Sequence, residues 1–300
     1  MILQIFVSNI LPAFLIIGAG ALLGRVLGLE VRTPSRITLY FFVPCLVFTS
    51  LTKSTVGATD FTNILMFLVA ITAAIGAVSW GVARAASLNR TQENALLLST
   101  MFLNAGNLGL PILLFAYGQE GMDRGIVFYI GSALMAHTVA AFFASRGRAS
   151  VRRSISNMLK LPTLYAILLA FALRALHVAP PEFAFKSISL ASGAAIPTLL
   201  FALGIQLAQT RLRGNWRLIG AGTAIKLLVA PVLAFGLAEL MGLQGLTYKV
   251  CVFEASTPAA ITAALMAIEF DAEPAFVTSV VFLTTLLSSI TLTAVLGILG

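Results

Sequence analysis

Long apolar runs separated by short polar breaks extend along the whole chain, over 3–24, 34–53, 62–84, 93–117, 122–145, 156–177, 183–207, 215–238, 246–268 and 275–298. Each run is close to the ~20 residues that an α-helix needs to cross the hydrocarbon of a bilayer. Helix is the predicted state throughout, because an isolated extended segment in hydrocarbon would leave its backbone N–H and C=O groups unpaired. Turn signals stand between runs at Arg32-Thr33-Pro34, from Gly118 to Gly121, at Pro180-Pro181 and at Glu273-Pro274. The pattern therefore predicts an all-α membrane protein with ten transmembrane helices.

Composition strengthens that picture. Of the 300 residues, 59% are hydrophobic and only 10% are charged, against roughly 25% charged in a soluble domain. Ten spans and their short loops use up the length, so no sizeable soluble domain fits. The net charge of +8 does not point to nucleic acid, because the basic residues sit in short loops and form no stripe. Cys45 and Cys251 both fall inside apolar runs and show neither disulfide nor metal-ligand spacing. No Lys or Arg precedes the first run, which is expected to be a retained span and not a cleaved leader.

The distribution of charge sets an orientation. The odd-numbered loops hold 13 basic residues: Arg25, Arg32, Arg36, Arg84, Arg90, Arg146, Arg148, Arg152, Arg153, Lys160, Arg211, Arg213 and Arg217. The opposite side holds Lys53, Arg124, Arg174, Lys186 and Lys249. Positive charge is retained in the cytoplasm, so both termini are expected outside an inner (plasma) membrane. The basic linker over 146–157 divides the chain into a first repeat, 1–145, and a second, 158–300. Five spans per half is an odd number, so the second half enters the membrane inverted, as in many secondary carriers.

Two spans carry helix-breaking chemistry at their centres, and each is the fourth of its half. Span 4 contains Asn104-Ala-Gly-Asn107-Leu-Gly109-Leu-Pro111, and span 9 contains Glu254-Ala-Ser256-Thr257-Pro258. Proline removes a donor and clashes with the preceding turn, and glycine weakens helix further. In hydrocarbon such breaks are tolerated where they line a cavity. New half-helices are expected at Pro111 and Pro258, the latter capped by Ser256 or Thr257. Their positive N-terminal ends would meet at the bilayer centre as an anion site. Pro44, Pro197 and Pro231 are read as kinks, and the small-residue strings Gly18-Ala-Gly20 with Gly24 and Gly193-Ala-Ala as close helix contacts.

At these motifs the chain resembles the auxin efflux carrier family, within the wider group that includes bile-acid/sodium symporters. The resemblance rests on Asn104 to Pro111, on Ser256-Thr257-Pro258 and on Lys226-Leu-Leu-Val-Ala-Pro231, and its short central linker is similar to that of bacterial members. It implies a scaffold of spans 1, 2, 6 and 7 and a transport domain of spans 3–5 and 8–10. It also implies a crossover of spans 4 and 9 at the substrate, elevator-like movement, a homodimer and an organic-anion substrate. Carried over, the substrate-binding residues are Asn104, Asn107, Gly109, Pro111, Ser256, Thr257 and Pro258.

Lys226 and Glu254 are the formal charges nearest the middle of a span, where charge is costly and needs a cavity or a partner. Glu254 reads either as a proton or sodium site or as half of a structural ion pair with Lys226. Lys226 in turn either balances Glu254, attracts the anion or serves structure alone. Thr100, Ser132 and Thr138 are hydroxyl candidates for a sodium site. Span 3 has no Gln or Asn beyond Asn63, so that site is incomplete by the wider group's pattern. His137 reads as a proton relay or as a hydrogen-bonded interior histidine, and Gln206 as a residue that reaches the site or as a polar span-end residue.

No cluster of His, Asp or Glu suggests a metal or a catalytic nucleophile, no phosphate loop is present, and no cofactor is implied. The expected function is a secondary carrier for a small organic anion, coupled to protons, to sodium or to neither. A sodium-coupled symporter is the alternative, and a membrane sensor without transport is a different class.

Overall fold

The computed structural model of the protein describes residues 2–145, 159–269 and 272–300, with side chains described outside 137–145. The linker over 146–157 and the side chains of His137 and Thr138 lie outside the described residues. The chain runs through α1 (Ile2–Val26), α2 (Arg32–Lys53), α3 (Ala58–Ala85), α4 (Arg90–Met101) and α5 (Leu110–Ser145). After the linker come α6 (Pro162–Ala175), α7 (Glu182–Gln209), α8 (Trp216–Leu240), α9 (Gly245–Ala255), α10 (Ile261–Glu269) and α11 (Pro274–Leu299). Six of these, α1, α2, α3, α7, α8 and α11, are long and apolar enough to cross a membrane. The protein is a multi-pass membrane protein.

Lipid exposure is written into the helix faces. On α3, Ile64, Phe67, Ile71 and Ile75 recur at helical spacing and are buried, while Met66, Val69 and Trp80 on other faces are exposed. A helix that is apolar all round belongs in hydrocarbon, where exposed Leu and Val carry no penalty. Apolar burial gives little net drive between helices there, so close packing holds them together. Gly20 of α1 and Gly204 of α7 show this. A Cβ built at Gly20 would lie 2.2 Å from the Phe201 carbonyl oxygen, and one at Gly204 would lie 2.0 Å from that of Ile17. Gly24 also faces α7, at Ile205, whereas Gly18 and Gly193 meet nothing within 4 Å.

The prolines do something more definite than kink. Each of the π turns Phe6–Ile10, Thr38–Phe42, Ala105–Gly109 and Ile225–Val229 lies just ahead of Pro12, Pro44, Pro111 or Pro231. In each case the residue preceding the proline donates to the carbonyl five residues back, as Leu110 does to Ala105. Proline lacks an N–H and its ring crowds the carbonyl four residues back. A widened turn relieves that crowding and keeps the neighbouring carbonyls bonded. At Pro197 the disturbance takes another form, with α7 breaking between Gly193 and Ala195.

The helices pack as two groups. α1 lies along α7, and α2 packs against α6 and α7. α3, α4, α5, α8, α9, α10 and α11 pack chiefly among themselves. The groups meet where the start of α1 touches α5 and α11, where α2 touches α5, and where α7 touches the π turn ahead of α5. α5 itself is divided at Gly118, whose φ of 64° and ψ of −159° suit glycine, into helices over 110–117 and 119–145.

Candidate functional site

α4 ends at Met101 and α9 at Ala255, so both fourth runs of the two halves are interrupted. The two interruptions lie side by side. Leu103 and Ala259 form an antiparallel bridge. The Asn104 N–H donates to the Pro258 carbonyl at 2.9 Å, and the Ala260 N–H donates to the Phe102 carbonyl at 3.1 Å. Ala259 N–H donates to the Thr284 hydroxyl of α11 at 3.2 Å. Backbone groups released by the breaks are thus satisfied by one another and by α11, which removes a cost of several kcal/mol per group in hydrocarbon.

The positions of the new helices differ from the sequence expectation. The first begins at Asn104 with the π turn, ahead of Pro111, and the second begins at Ile261, three residues beyond Pro258. Neither Ser256 nor Thr257 caps it. Ser256 Oγ donates to the Val252 carbonyl at 2.7 Å and Thr257 Oγ1 to the Glu254 carbonyl at 2.6 Å, so both hydroxyls close the end of α9 instead. A hydroxyl beside a helix end can bond carbonyls behind it as readily as amides ahead, and the amides ahead, at Ala259 and Ala260, are already bonded to Thr284 and to Phe102.

A cavity of about 700 Å³ reaches this crossover. Asn104, Gly106 and Asn107 line it from one new helix, and Ala260, Ile261 and Thr262 from the other. The amides of Ala105, Gly106 and Asn107 have no acceptor in the helix they begin, and neither do those of Ile261 and Thr262. Two positive helix ends therefore face one cavity. Asn104 is 3% exposed and its Nδ2 has no partner; the buried Ser132 Oγ on the same lining also has none. Leu68, Met101, Leu103, Leu199, Leu203 and Met266 make the walls largely apolar. Arg32 and Arg36 stand on the lining with Leu161 and Gln206, at the ends of α2, α6 and α7, so this is where the cavity opens.

Of the residues singled out by sequence, Asn104 and Asn107 line the cavity, and Gly109, Pro111, Ser256, Thr257 and Pro258 do not. Gly109 has a separate structural task. A Cβ there would lie 2.2 Å from Glu254 Oε2, and one at Gly125 would lie 3.2 Å from Oε1, so the Glu254 carboxyl is seated between two bare backbone faces. Glu254 and Lys226 are both fully buried, and neither lines the cavity. Neither the Lys226 Nζ nor either Glu254 oxygen has a hydrogen-bond partner, so they do not form the ion pair that was one reading of them. Thr100 shares a hydrogen bond with Ser79 at 2.8 Å, away from the cavity lining. Among the described residues no group of three His, Cys, Asp or Glu could hold a metal. Tyr129, whose ring would lie 2.6 Å from a Cβ on Gly106, is a lining residue that sequence did not mark, as are Thr72, Ile261 and Thr262. Only the preceding break in span 9 hinted at the last two.

Several membrane-length helices and two interrupted ones meeting at a cavity fit a membrane transport protein. The family model described as Membrane transport protein matches residues 5–159 and 148–296, and the chain belongs to that family, the one its Asn104-to-Pro111 string resembles. An uncharacterized transporter of Methanothermobacter thermautotrophicus is 28% identical over 290 residues, 95% of each chain. One of Methanocaldococcus jannaschii is 24% identical over 265 residues, 85% of each chain. The protein is a transporter and not an enzyme.

Proposed function

We propose that the protein is a secondary carrier for a small organic anion, bound by its carboxylate at the crossover. The observation that carries this reading is the convergence of two helix N-termini, with Asn104 and Asn107, on the inner end of one cavity. Amides at helix starts attract anions through both their dipole and their unpaired hydrogens. Arg32 and Arg36 at the opening favour the same sign of charge. The interrupted segments 90–117 and 245–269 count as spans 4 and 9 of a ten-span, inverted-repeat arrangement. In that arrangement α1, α2, α6 and α7 form a scaffold, and the remaining helices form a body that carries the site across the membrane as an elevator. The separate packing of the two helix groups supports this division. By the positive-inside bias the cavity mouth faces the cytoplasm, and two copies pair through the scaffold as a homodimer.

A thermal-shift screen of the purified protein against organic acids, with and without sodium, tests the reading. Stabilisation by carboxylates and not by their amides is the expected result. Equal stabilisation by both would remove the anion from the reading. Sodium coupling is the second reading, favoured by the buried, unpartnered Glu254 carboxyl. Uptake into proteoliposomes that is indifferent to sodium excludes it.

A further inference from the structure

The cavity opens at the end of the molecule that carries Arg32, Arg36 and Leu161. At the other end of the same helices a buried polar contact joins the two packed groups. Ser50, near the end of α2, donates to Asp123 Oδ1 at 2.5 Å, and Gln119 Nε2 donates to the same oxygen at 2.8 Å. Ser50 is 5% exposed and Asp123 7%. α2 belongs to the first group, whereas Gln119 and Asp123 lie on α5 in the second.

The neighbouring polar contacts have a different arrangement. Arg124 pairs with Asp60 at 3.3 Å, Thr247 donates to Asp60 Oδ1 at 2.8 Å, and Arg124 Nε donates to Thr247 at 3.1 Å. These tie α3, α5 and α9 into one body. Next to this network the aromatic pair Phe61–Phe171 sets α3 edge-on against α6, with ring centroids 5.9 Å apart, again across the groups. Among the described residues, the end opposite the mouth is therefore closed by the packing of the start of α1 on α5 and α11, by this charge-assisted hydrogen bond and by the aromatic contact, between two bodies that are each internally braced.

We infer that the Ser50–Asp123 contact is a latch that holds the site open toward the arginine-bearing face, and that it must part for the site to face the other way. This deepens the carrier reading and rests on its two-body movement. The physical case is that a hydrogen bond to a carboxylate is stronger than one between neutral groups, and that sheltering it from water strengthens it further. An interaction present in one of two states shifts their ratio by its differential free energy. Asp123 keeps its Gln119 donor when Ser50 leaves, so the carboxylate is not stranded when the latch opens. That lets the contact favour one state without making the other inaccessible.

The test needs no substrate. In a background carrying Cys45→Ala and Cys251→Ala, Ala133→Cys places a thiol on the cavity wall in the second group. A membrane-impermeant maleimide is then applied to each face of sealed vesicles of known orientation. The parent should label from the arginine-bearing face. Ser50→Ala, which removes the donor, should raise the labelling rate from the opposite face about tenfold or more, matching loss of a hydrogen bond to a charged group, and Asp123→Asn, which removes the charge, should raise it in the same direction by less. Two conservative variants guard against a folding defect in either one, and continued labelling from the arginine-bearing face verifies an intact cavity. If the parent labels slowly from the opposite face and both variants match it, the latch is overturned while two-sided access stands. If no variant and no parent ever labels from that face, the moving-body reading falls and the latch falls with it.

Discussion

Asn107 and Gly109 stand two residues apart in one motif, yet the fold gives them unrelated work. Asn107 sits on the cavity lining at the start of a helix, where an amide side chain adds donors beside free backbone N–H groups. Asn107→Ala should reduce uptake of a transported acid roughly ten- to a hundredfold, the span expected for one hydrogen bond to a charged group, with an unchanged melting temperature. Normal uptake would take Asn107 out of the site. Gly109 is a glycine because the Glu254 carboxyl occupies the space a Cβ would need. Gly109→Ala should cost about 1–3 kcal/mol through overpacking, read as a lower midpoint in thermal unfolding. Adding Glu254→Ala removes the obstructing atoms, so the double variant should regain part of that loss. Strict additivity of the two effects would mean the clash is relieved elsewhere.

At the scale of elements, two devices let helices do what their sequences seem to forbid. Four prolines sit in apolar helices without breaking them, because a π turn ahead of each absorbs the crowded carbonyl. Two helices do break, and the bridge between Leu103 and Ala259 supplies the hydrogen bonds that each break forfeits. A break of this kind is only tolerable in the presence of the other. Helix approach is equally selective. Gly204→Ala would drive a methyl group into the Ile17 carbonyl and should separate α1 from α7, whereas Gly193→Ala meets open space. Thermal unfolding should show the first variant destabilised by at least about 1 kcal/mol and the second unchanged or slightly stabilised. Similar melting of both would show that α1 and α7 can slide to accommodate a methyl.

For the whole molecule the leading question is what drives the cycle. Glu254 is buried and without a hydrogen-bond partner, behind the first crossover segment and off the cavity lining. A carboxyl so placed does not touch the cavity, so any effect it has on transport runs through the packing of that segment. Glu254→Gln keeps its shape and its seat against Gly109. If this group carries a proton during the cycle, uptake by the variant should lose its pH dependence while retaining a measurable rate. A pH profile like the parent's would assign Glu254 to structure. The fully buried Lys226 Nζ gives no sign of balancing it directly, so a coupled pair is not needed to interpret either result.

Helix, membrane residence and the two interruptions were legible along the chain, because hydrocarbon imposes them residue by residue. Apolar runs of membrane length have few alternatives to helix, and amides, glycines and proline packed into eight mid-span positions cannot continue a regular one. The family was equally visible in that string. Tertiary structure alone decided which breaker residues face the cavity. Sequence grouped Gly109, Pro111, Ser256, Thr257 and Pro258 with Asn104 and Asn107, but rotation about the helix axis and the bridge at Ala259 turn those five away and bring Ile261, Thr262, Tyr129 and Ser132 in. It also left Lys226 and Glu254 without hydrogen-bond partners, although both are fully buried in the consecutive helices α8 and α9. Local pattern records what each segment requires of its surroundings, whereas the identity of the partner that meets the requirement depends on contacts between segments more than a hundred residues apart.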